Sequence, residues 1–272
     1  MSWPELCEPG VRTARVESER ARFGLDIVRL VIGLGTPEEH VGDGIREALR
    51  AQGTPDVIVA RWPSEMVGIP AVLADVGAVV LPADTLVYWS ADAAALAEVA
   101  IDPRVAEGSP SLDDVTVVTH ESFARYPNHY AANPLLDRDL AAAGYVEWAQ
   151  RSFMADPTSV QAISVDGRVV GVATTAAPHP GADREILLAG LLPDAQGQGW
   201  YQGLLTTIGQ KALADAARRV VISTQASNIR VQRAWVRSGF SPIASFTTAH
   251  LVDRDVWAQR PRLDGGGQAG SS

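Results

Sequence analysis

The sequence places two glycines at a corner that could bind an anion. A predicted strand ends at Leu192, and the chain then reads Gln196-Gly197-Gln198-Gly199 before a predicted helix. Glycines at a strand-to-helix corner let backbone N–H groups converge on one anion, and the helix N-terminus adds partial positive charge. A pyrophosphate is the natural ligand of such a corner. Because any tight turn can use glycines, the motif alone is equally compatible with an ordinary turn.

Three places in the chain offer a side chain that could act as a general base. Asp183 and Glu185 stand at the start of the strand before the corner, where alternation puts them on one face. His129 lies in a polar and aromatic loop and would titrate near neutral pH. Glu147 stands beside Trp148 on a predicted helix.

Each of these candidates also has a structural interpretation. The Asp183–Glu185 pair fits a solvated strand entrance, His129 fits a surface loop, and Glu147 fits an exposed helix face. Three further histidines are expected to be structural, exposed or in a hairpin loop: His40, His179 and His250.

Asn228 precedes a predicted helix, and its amide could either bind an amide-rich ligand or stabilise the turn. Arg230, Arg233 and Arg237 on that helix could meet a phosphate, although three arginines on one helix are also typical of a solvated face.

Composition narrows the class of protein. The chain has 272 residues, which favours one large domain or two modest ones, and its net charge of −9 argues against a nucleic-acid partner. No apolar run is long enough to span a bilayer, and no signal peptide is visible at the N-terminus. The single cysteine, Cys7, indicates a reducing cytoplasm, and no metal site is predicted. A homodimer is compatible with the sequence, which does not decide the assembly.

Alternating apolar segments predict a small α/β unit in residues 1–106. Strands are predicted at 26–32, 56–61, 78–81 and 85–89, the last two separated by a turn at Pro82-Ala83-Asp84. Helices are predicted at 36–51 and 69–76, and residues 107–112 are expected to form a linker.

A second domain is predicted at residues 112–255. Its strands are expected at 115–118, 160–165, 169–175, 185–192, 220–224 and 243–252, with an Asp166-Gly167 hairpin turn between the second and third. Helices are expected to open at His120 and to span 140–153, 201–217 and 230–238. Residues 263–272 are expected to form a disordered tail.

The order of strand, glycine corner, helix, strand, Asn228, helix and Gly239-Phe240 strongly resembles the GNAT superfamily of N-acyltransferases. The family's corner pattern is roughly [QR]-x-x-G-x-[GA], and Gln196 and Gly199 match its first and fourth positions. The resemblance covers about residues 112–252. It implies a mixed, mostly antiparallel sheet flanked by helices, with acetyl-CoA or another acyl-CoA as the acyl donor.

The resemblance also implies roles for individual residues. Polarisation of the thioester carbonyl would come from a backbone N–H near Leu191 or Leu192, and a small-molecule amine would be the partner. The residues implied in cofactor binding are Leu191, Leu192, Gln196, Gly197, Gln198, Gly199, Trp200, Tyr201, Asn228 and Trp235.

The chain departs from the family pattern at two positions. Tyr201 fills a place usually held by glycine or alanine, where its bulk either crowds the phosphates or points away. Trp235 stands where many members have the tyrosine that protonates the departing thiolate, and an indole N–H is not acidic enough for that step. The acyl donor is therefore better defined than the catalytic residues.

Three fragments are similar to a bacterial subgroup that includes dTDP-fucosamine acetyltransferase and carries a partial N-terminal GNAT-like half. They are residues 21–30 (ARFGLDIVRL), 126–134 (YPNHYAANP) and 145–148 (YVEW). This similarity implies that the acceptor amine binds near Tyr126, His129, Tyr130 and Asn133, and that the acceptor is a nucleotide-linked amino sugar or a natural-product precursor. Transfer of another acyl group, transfer to a peptide amine, and a non-catalytic acyl-CoA-binding role remain the alternatives.

Overall fold

The computed structural model describes residues 1–126, 128–176 and 183–260. Its strands are β1 (Val11–Arg15), β2 (Ile27–Ile32), β3 (Val57–Pro63), β4 (Val79–Asp92), β5 (Val105–Gly108), β6 (Val160–Val165), β7 (Arg168–Thr175), β8 (Arg184–Leu191), β9 (Arg219–Gln225) and β10 (Ser241–Val252). Its helices are α1 (Trp3–Cys7), α2 (Glu17–Phe23), α3 (Glu38–Gln52), α4 (Ile69–Ala74), α5 (Ala93–Ala97), α6 (Leu112–Phe123), α7 (Arg138–Ala155), α8 (Tyr201–Ala214), α9 (Ile229–Arg237) and α10 (Arg254–Ala258). Short 3-10 turns span His129–Ala132, Pro157–Ser159 and Pro193–Ala195. Within these residues, no helix is long and apolar enough to cross a membrane.

The strands form one sheet in the order β1-β2-β3-β10-β4-β9-β8-β7-β6-β5. Neighbouring strands are antiparallel except for the β2–β3 and β8–β9 pairs. Strand β10, from the end of the chain, inserts between β3 and β4, and β4 then pairs with β9. The predicted fold class, a mostly antiparallel mixed sheet flanked by helices, is confirmed. The division into domains at 1–106 and 112–255 stays a prediction, and the strands of the two stretches interleave in this one sheet.

The turn predicted at Pro82-Ala83-Asp84 is wrong, because β4 runs without a break from Val79 to Asp92. Two causes explain how the strand tolerates a proline. Its pairing with β9 begins only at Leu86, so Pro82 has a strand neighbour on one side only. A register shift opposite Thr248 and Ala249 also absorbs one residue of β4 as a bulge.

The segment between the two predicted domains also differs from expectation. The stretch predicted as a strand at 115–118 lies inside helix α6, which begins at Leu112 after a Ser111 cap that accepts from the Asp114 N–H. A four-residue apolar run does not distinguish a strand from a buried helix turn. The Ser111–Asp114 capping box favours the helix. The first two residues of the stretch predicted as a linker, 107 and 108, belong to β5 at the sheet edge. The Asp166-Gly167 turn is confirmed, with φ values of 52° and 79°.

Two layers of helices enclose the sheet. Helices α3 and α4 cover one face of the N-terminal strands, where Leu30, Ile45 and Leu73 are fully buried. The opposite face of those strands is covered by the 3-10 turn at His129–Ala132 and by α7, through Tyr130, Leu136 and Ala141. The 3-10 turn and α7, from the middle of the chain, therefore cover strands from its beginning, and a cavity lies between these two layers.

Candidate active site

Strands β8 and β9 begin side by side and then separate. Their parallel pairing covers only Arg184 to Ile186, opposite Val220 to Ile222. Beyond this point β8 stays paired with β7, and a bulge at Leu187 follows because Thr174 pairs with Leu188 while Thr175 pairs with Ile186. The bulge increases the local twist of the strand. The result is a cleft between β8 and β9 in the middle of the sheet.

The edge of β8 that faces the cleft carries free backbone groups. The Leu192 N–H donates to the Val170 carbonyl across 2.9 Å, which makes Leu191 and Ala189 non-hydrogen-bonded positions relative to β7. Their N–H groups therefore point into the cleft. The Leu191 carbonyl is already held by the Ser122 hydroxyl and the Gln196 amide, each at 3.0 Å. Of the two residues predicted to polarise a thioester, Leu191 or Leu192, the structure excludes Leu192, because its N–H is bonded to Val170.

The glycine corner presents a run of unpaired N–H groups. Gly197 and Gly199 have φ values of +81° and +82°, which other residues adopt only with strain. Among the described residues, no backbone or side-chain acceptor bonds the N–H groups of residues 197–201, and the Trp200 side chain does not cap α8. Five N–H groups at the start of a 14-residue helix form a cradle for an anion.

Some side chains around the corner line the cavity, and others lie outside its lining. Gln196 bridges the end of β8 to α9, since its Oε1 accepts from Arg230 at 3.0 Å. Arg230 and Arg237 line the cavity, whereas Arg233 does not. Three residues implied in cofactor binding also lie outside the lining: Leu192, Gln198 and Trp200. Trp200 packs instead under the Arg104 guanidinium, 5.5 Å from its ring centroid.

Tyr201 and Trp235, the two departures from the family pattern, contact each other. The Trp235 Nε1–H donates to the Tyr201 hydroxyl oxygen across 3.2 Å, and both residues line the cavity. Tyr201 therefore turns inward from the corner. Burial raises the pKa of Tyr201 to about 12, and the indole hydrogen bond acts in the opposite direction. The phenol is neutral at physiological pH, and with Trp235 filling its acceptor side its own O–H remains to donate.

Glu185 is the predicted carboxylate base that lines the cavity. It lies in the short stretch where β8 pairs with β9, just before the strands separate, and it is 6% exposed. It accepts a hydrogen bond from the Trp3 N–H at 2.8 Å. Burial raises its pKa to about 7. Asp183 has a different environment: it binds Arg219 through hydrogen bonds of 2.9 and 2.8 Å and lies outside the lining. The two carboxylates do not act as a pair.

His129 lines the cavity but does not titrate near neutral pH. Its Nδ1 lies 2.9 Å from Nε2 of the fully buried His250. Burial, followed by the neighbouring His250, holds the pKa of His129 well below its usual range. The expectation of a proton acceptor near neutrality is therefore wrong for this residue, which is a weak base.

Glu147 lies outside the cavity. It pairs with Arg22 at 2.6 Å, and its side chain is 55% exposed, as expected for a charge on a helix face. Its partner Arg22, from α2, does line the cavity. The ion pair thus connects α7 to the N-terminal elements.

The residues implied in acceptor binding are only partly together. Tyr126, His129 and Tyr130 line the cavity, and the Tyr126 hydroxyl lies 3.0 Å from that of Thr224 on β9. Asn133 is 1% exposed, lies outside the lining, and accepts from the Leu135 N–H at 3.0 Å. Its amide stabilises the turn before α7.

Asn228 lines the cavity but its amide is engaged by the protein. Its Oδ1 accepts from the Val231 N–H at 3.5 Å, and its Nδ2 donates to Thr224 at 3.0 Å. The residue caps α9, as its structural interpretation expects. His179 lies in residues 177–182, which are outside the described residues. The tail predicted at 263–272 is outside them as well.

The cavity has a volume of about 980 Å³, and residues from both halves of the chain line it. Sequence reasoning missed its N-terminal charged residues: Glu19, Arg29, Arg61 and Asp84. Arg61 had a visible signal, because it is the one charged residue in an otherwise apolar strand buried along its whole length. Asp84 had none, because it was assigned to a turn.

The comparisons with known proteins agree with this geometry. Residues 121–240 match the model of the acetyltransferase (GNAT) family. A search of curated proteins gave no significant match.

Several solved structures share the fold at low sequence identity. A GCN5-related N-acetyltransferase from Sphaerobacter thermophilus is 13% identical, with a TM-score of 0.57 over 93% of this chain and 78% of that one. A GCN5-related N-acetyltransferase from Kribbella flavida is 18% identical, with a TM-score of 0.51 over 84% and 81%. A tandem GNAT protein from the clavulanic acid biosynthesis pathway, solved without acetyl-CoA, is 16% identical, with a TM-score of 0.50 over 82% and 74%. Residues 121–240 thus match a GNAT acetyltransferase domain, and this match, together with the shared fold, supports an acyl-CoA-dependent N-acyltransferase.

Proposed function

We propose that this protein transfers an acetyl group from acetyl-CoA to a primary amine of a small molecule. The observation that carries the proposal is the junction of two free backbone surfaces. The cleft-facing edge of β8, at Ala189 and Leu191, runs directly into the unpaired N–H groups of residues 197–201. An extended amide chain can pair with the strand edge while its pyrophosphate binds the helix N-terminus. Acetyl-CoA has this combination of groups.

Three positions supply the chemistry in this proposal. Glu185 accepts the proton of the attacking amine, because its raised pKa matches a base that works near neutral pH. The Ala189 or Leu191 N–H polarises the thioester carbonyl as the C–N bond forms. When the C–S bond breaks, the Tyr201 hydroxyl gives its proton to the sulfur, and the Trp235 N–H stabilises the phenolate left behind. Solvent then restores the proton to Tyr201 and removes that of Glu185.

The acceptor class follows from the shape of the cavity. Residues of α2, the 3-10 turn at His129–Ala132 and α7 line it together with the sheet, and this cover favours a small molecule over a peptide chain. A nucleotide-linked amino sugar and a natural-product precursor both stay within this proposal. The resemblance to the dTDP-fucosamine acetyltransferase subgroup remains a prediction for this chain.

One observation favours a second function. Trp235 occupies the position of the usual tyrosine, which a non-catalytic acyl-CoA-binding protein would tolerate. The Tyr201 hydroxyl next to it supports catalysis instead. Binding of acetyl-CoA with no turnover across a broad panel of amines would favour the binding protein.

Calorimetry with acetyl-CoA, propionyl-CoA, malonyl-CoA and free CoA tests the proposal first. We expect binding of acetyl-CoA and of CoA, with acetyl-CoA preferred over the larger acyl groups. No heat at high ligand concentration would exclude an acyl-CoA site. Tighter binding of propionyl- or malonyl-CoA would assign a different acyl group to the same site.

A further inference from the structure

Arg61 is a buried cation without an anionic partner. It is 7% exposed, in a strand buried along its whole length, and it lines the cavity. Its Nε donates to the Thr248 hydroxyl at 3.1 Å. Within residues 1–126, 128–176 and 183–260, no carboxylate lies within 4.0 Å of its guanidinium. A guanidinium buried without an anion is costly, and such residues normally pair with a carboxylate or a phosphate.

The neighbouring arginines differ from Arg61 in this respect. Arg29 pairs with Glu19, and Arg22 pairs with Glu147 at 2.6 Å. Both line the same cavity, and each already has a carboxylate partner. Arg61 is therefore the buried arginine of this wall that is left to bind an incoming anion.

A carboxylate stands on the same face of the sheet, two strands away. Thr248 on β10 pairs with Arg61 on β3 and with Asp84 on β4, so the three form one row across the sheet. Two strand spacings put the Arg61 and Asp84 Cα atoms about 10 Å apart. The Asp84 Oδ2 accepts weakly from Gln225 at 3.4 Å, and its buried Oδ1 has no partner among the described residues. The row thus carries separated charges of opposite sign.

The order of the strands gives this row a direction. Asp84 is nearer the β8–β9 cleft than Arg61, because β4 adjoins β9 and Asp84 contacts Gln225 on β9. A molecule lying along the row would place an anionic group at the far end, on Arg61. Its cationic end would lie beside Asp84 and point toward the cleft.

We propose that the acceptor amine carries an anionic group, a carboxylate or a phosphate, that binds Arg61 while the amine lies on the Asp84 side. This inference rests on the acyl transfer proposed above. It excludes simple neutral-tailed alkylamines as good acceptors. A carboxylate would make the acceptor amino-acid-like, and a phosphate would fit a phosphorylated or nucleotide-linked amino sugar.

Matched acceptors test the proposal with the wild-type chain. Release of CoA thiol from acetyl-CoA is measured with amino acids, with amines of the same length that lack the carboxylate, and with the corresponding aminophosphonates. Glucosamine and glucosamine phosphate form a second pair. We expect kcat/KM to be at least about 10-fold higher for an anion-bearing member, as for a lost hydrogen bond to a charged group. Whether carboxylates or phosphorus oxyanions are preferred identifies the source of the anion.

Variants of Arg61 then test the assignment. In Arg61→Met, the preference for the anionic acceptor should collapse through a rise in KM, with acetyl-CoA affinity unchanged. Arg61→Lys should keep part of the preference, which a purely structural role would not predict. Arg46→Met, at an exposed arginine on α3 that pairs with Asp43, is the control and should keep wild-type selectivity.

The outcomes separate this inference from the proposed function. Equal kcat/KM for neutral and anionic amines would overturn the inference and leave acetyl transfer standing. So would retention of the preference in Arg61→Met, or conversion of neutral amines with no anion-bearing amine converted. Absence of acetyl-CoA binding would instead contradict the proposed function itself.

Discussion

The Trp235 indole donates a hydrogen bond to the Tyr201 hydroxyl at 3.2 Å, which joins the first turn of α8 to the buried face of α9. Each residue alone departs from the GNAT pattern, one by excess bulk and the other by loss of a proton donor. Together they place a phenol in the cavity from a different helix. The two departures therefore belong together: Tyr201 supplies a hydroxyl that Trp235 does not have, and Trp235 orients that hydroxyl.

The Tyr201→Phe variant should be slow but fully able to bind acetyl-CoA. Loss of a proton donor typically costs about 100-fold or more in rate. We expect kcat to fall by that order while the calorimetric affinity for acetyl-CoA stays within about 2-fold, because the ring remains. Trp235→Phe, which keeps the ring packing and removes only the indole donor, should show a smaller loss. An unchanged kcat in Tyr201→Phe would exclude Tyr201 as the proton donor.

The activity should rise with pH through about 7, where Glu185 loses its proton. The pKa of Glu185 is raised to about 7, so the carboxyl is protonated and unable to act as a base below this value. The Glu185→Gln variant should lose this limb of the pH–rate profile and at least about 100-fold in kcat/KM. Asp183→Asn, which removes the partner of Arg219, should keep the limb. A limb that persists in Glu185→Gln would assign the base to another group.

Glu185 should also make the fold less stable at high pH. Its folded-state pKa of about 7 lies above the ordinary value of 4.5. The protonated form is therefore favoured by folding, and this stability, fully present below about pH 4.5, is lost as the pH rises through 7. The shift corresponds to roughly 3 kcal/mol. Glu185→Gln should consequently unfold at a higher temperature than wild type at pH 8, and at an equal or lower one at pH 4, as measured by calorimetric melting.

Alanine at the two corner glycines should weaken acetyl-CoA binding specifically. Gly197 and Gly199 have positive φ values, so the double change to alanine strains the corner that directs the free N–H groups. We expect at least about a 10-fold rise in the calorimetric Kd, in line with loss of charged hydrogen bonds. Gly77→Ala, at φ +85° and remote from the cavity lining, applies similar strain elsewhere. If Gly77→Ala weakened binding equally, the corner would have no special role.

Sequence patterns predicted the parts of this protein that depend on local chemistry. The glycine corner, the Asp166-Gly167 turn and the strands β6 to β9 follow from glycine conformation and alternation. The insertion of β10 between β3 and β4 could not be predicted in this way, because its residues pair with partners more than 150 positions earlier in the chain. The pairing with β10 keeps β4 continuous through Pro82. Because this partner is not visible in the local sequence, Pro82 was interpreted as part of a turn.

The site was predictable only in part for the same reason. Gln196, Gly197 and Gly199 form the corner through their own backbone, which local sequence predicts. Glu185 and Asp183 are both carboxylates on the same face of one strand, so local sequence does not tell which of them is the base. Only the tertiary contacts distinguish them. The Arg219 guanidinium and the Trp3 indole N–H both donate to Asp183, whereas Glu185 accepts only from the Trp3 backbone N–H among the described residues. The low basicity of His129 likewise comes from burial beside His250, far along the chain.

The most direct test of acetyl transfer is release of CoA thiol from acetyl-CoA by the purified protein, followed with and without an anion-bearing primary amine. Mass spectrometry of the amine is recorded in parallel. We predict that thiol release depends on the amine and that the amine gains one acetyl group per thiol released. Saturable binding of acetyl-CoA without acetylation of any amine in the panel would contradict the proposed function.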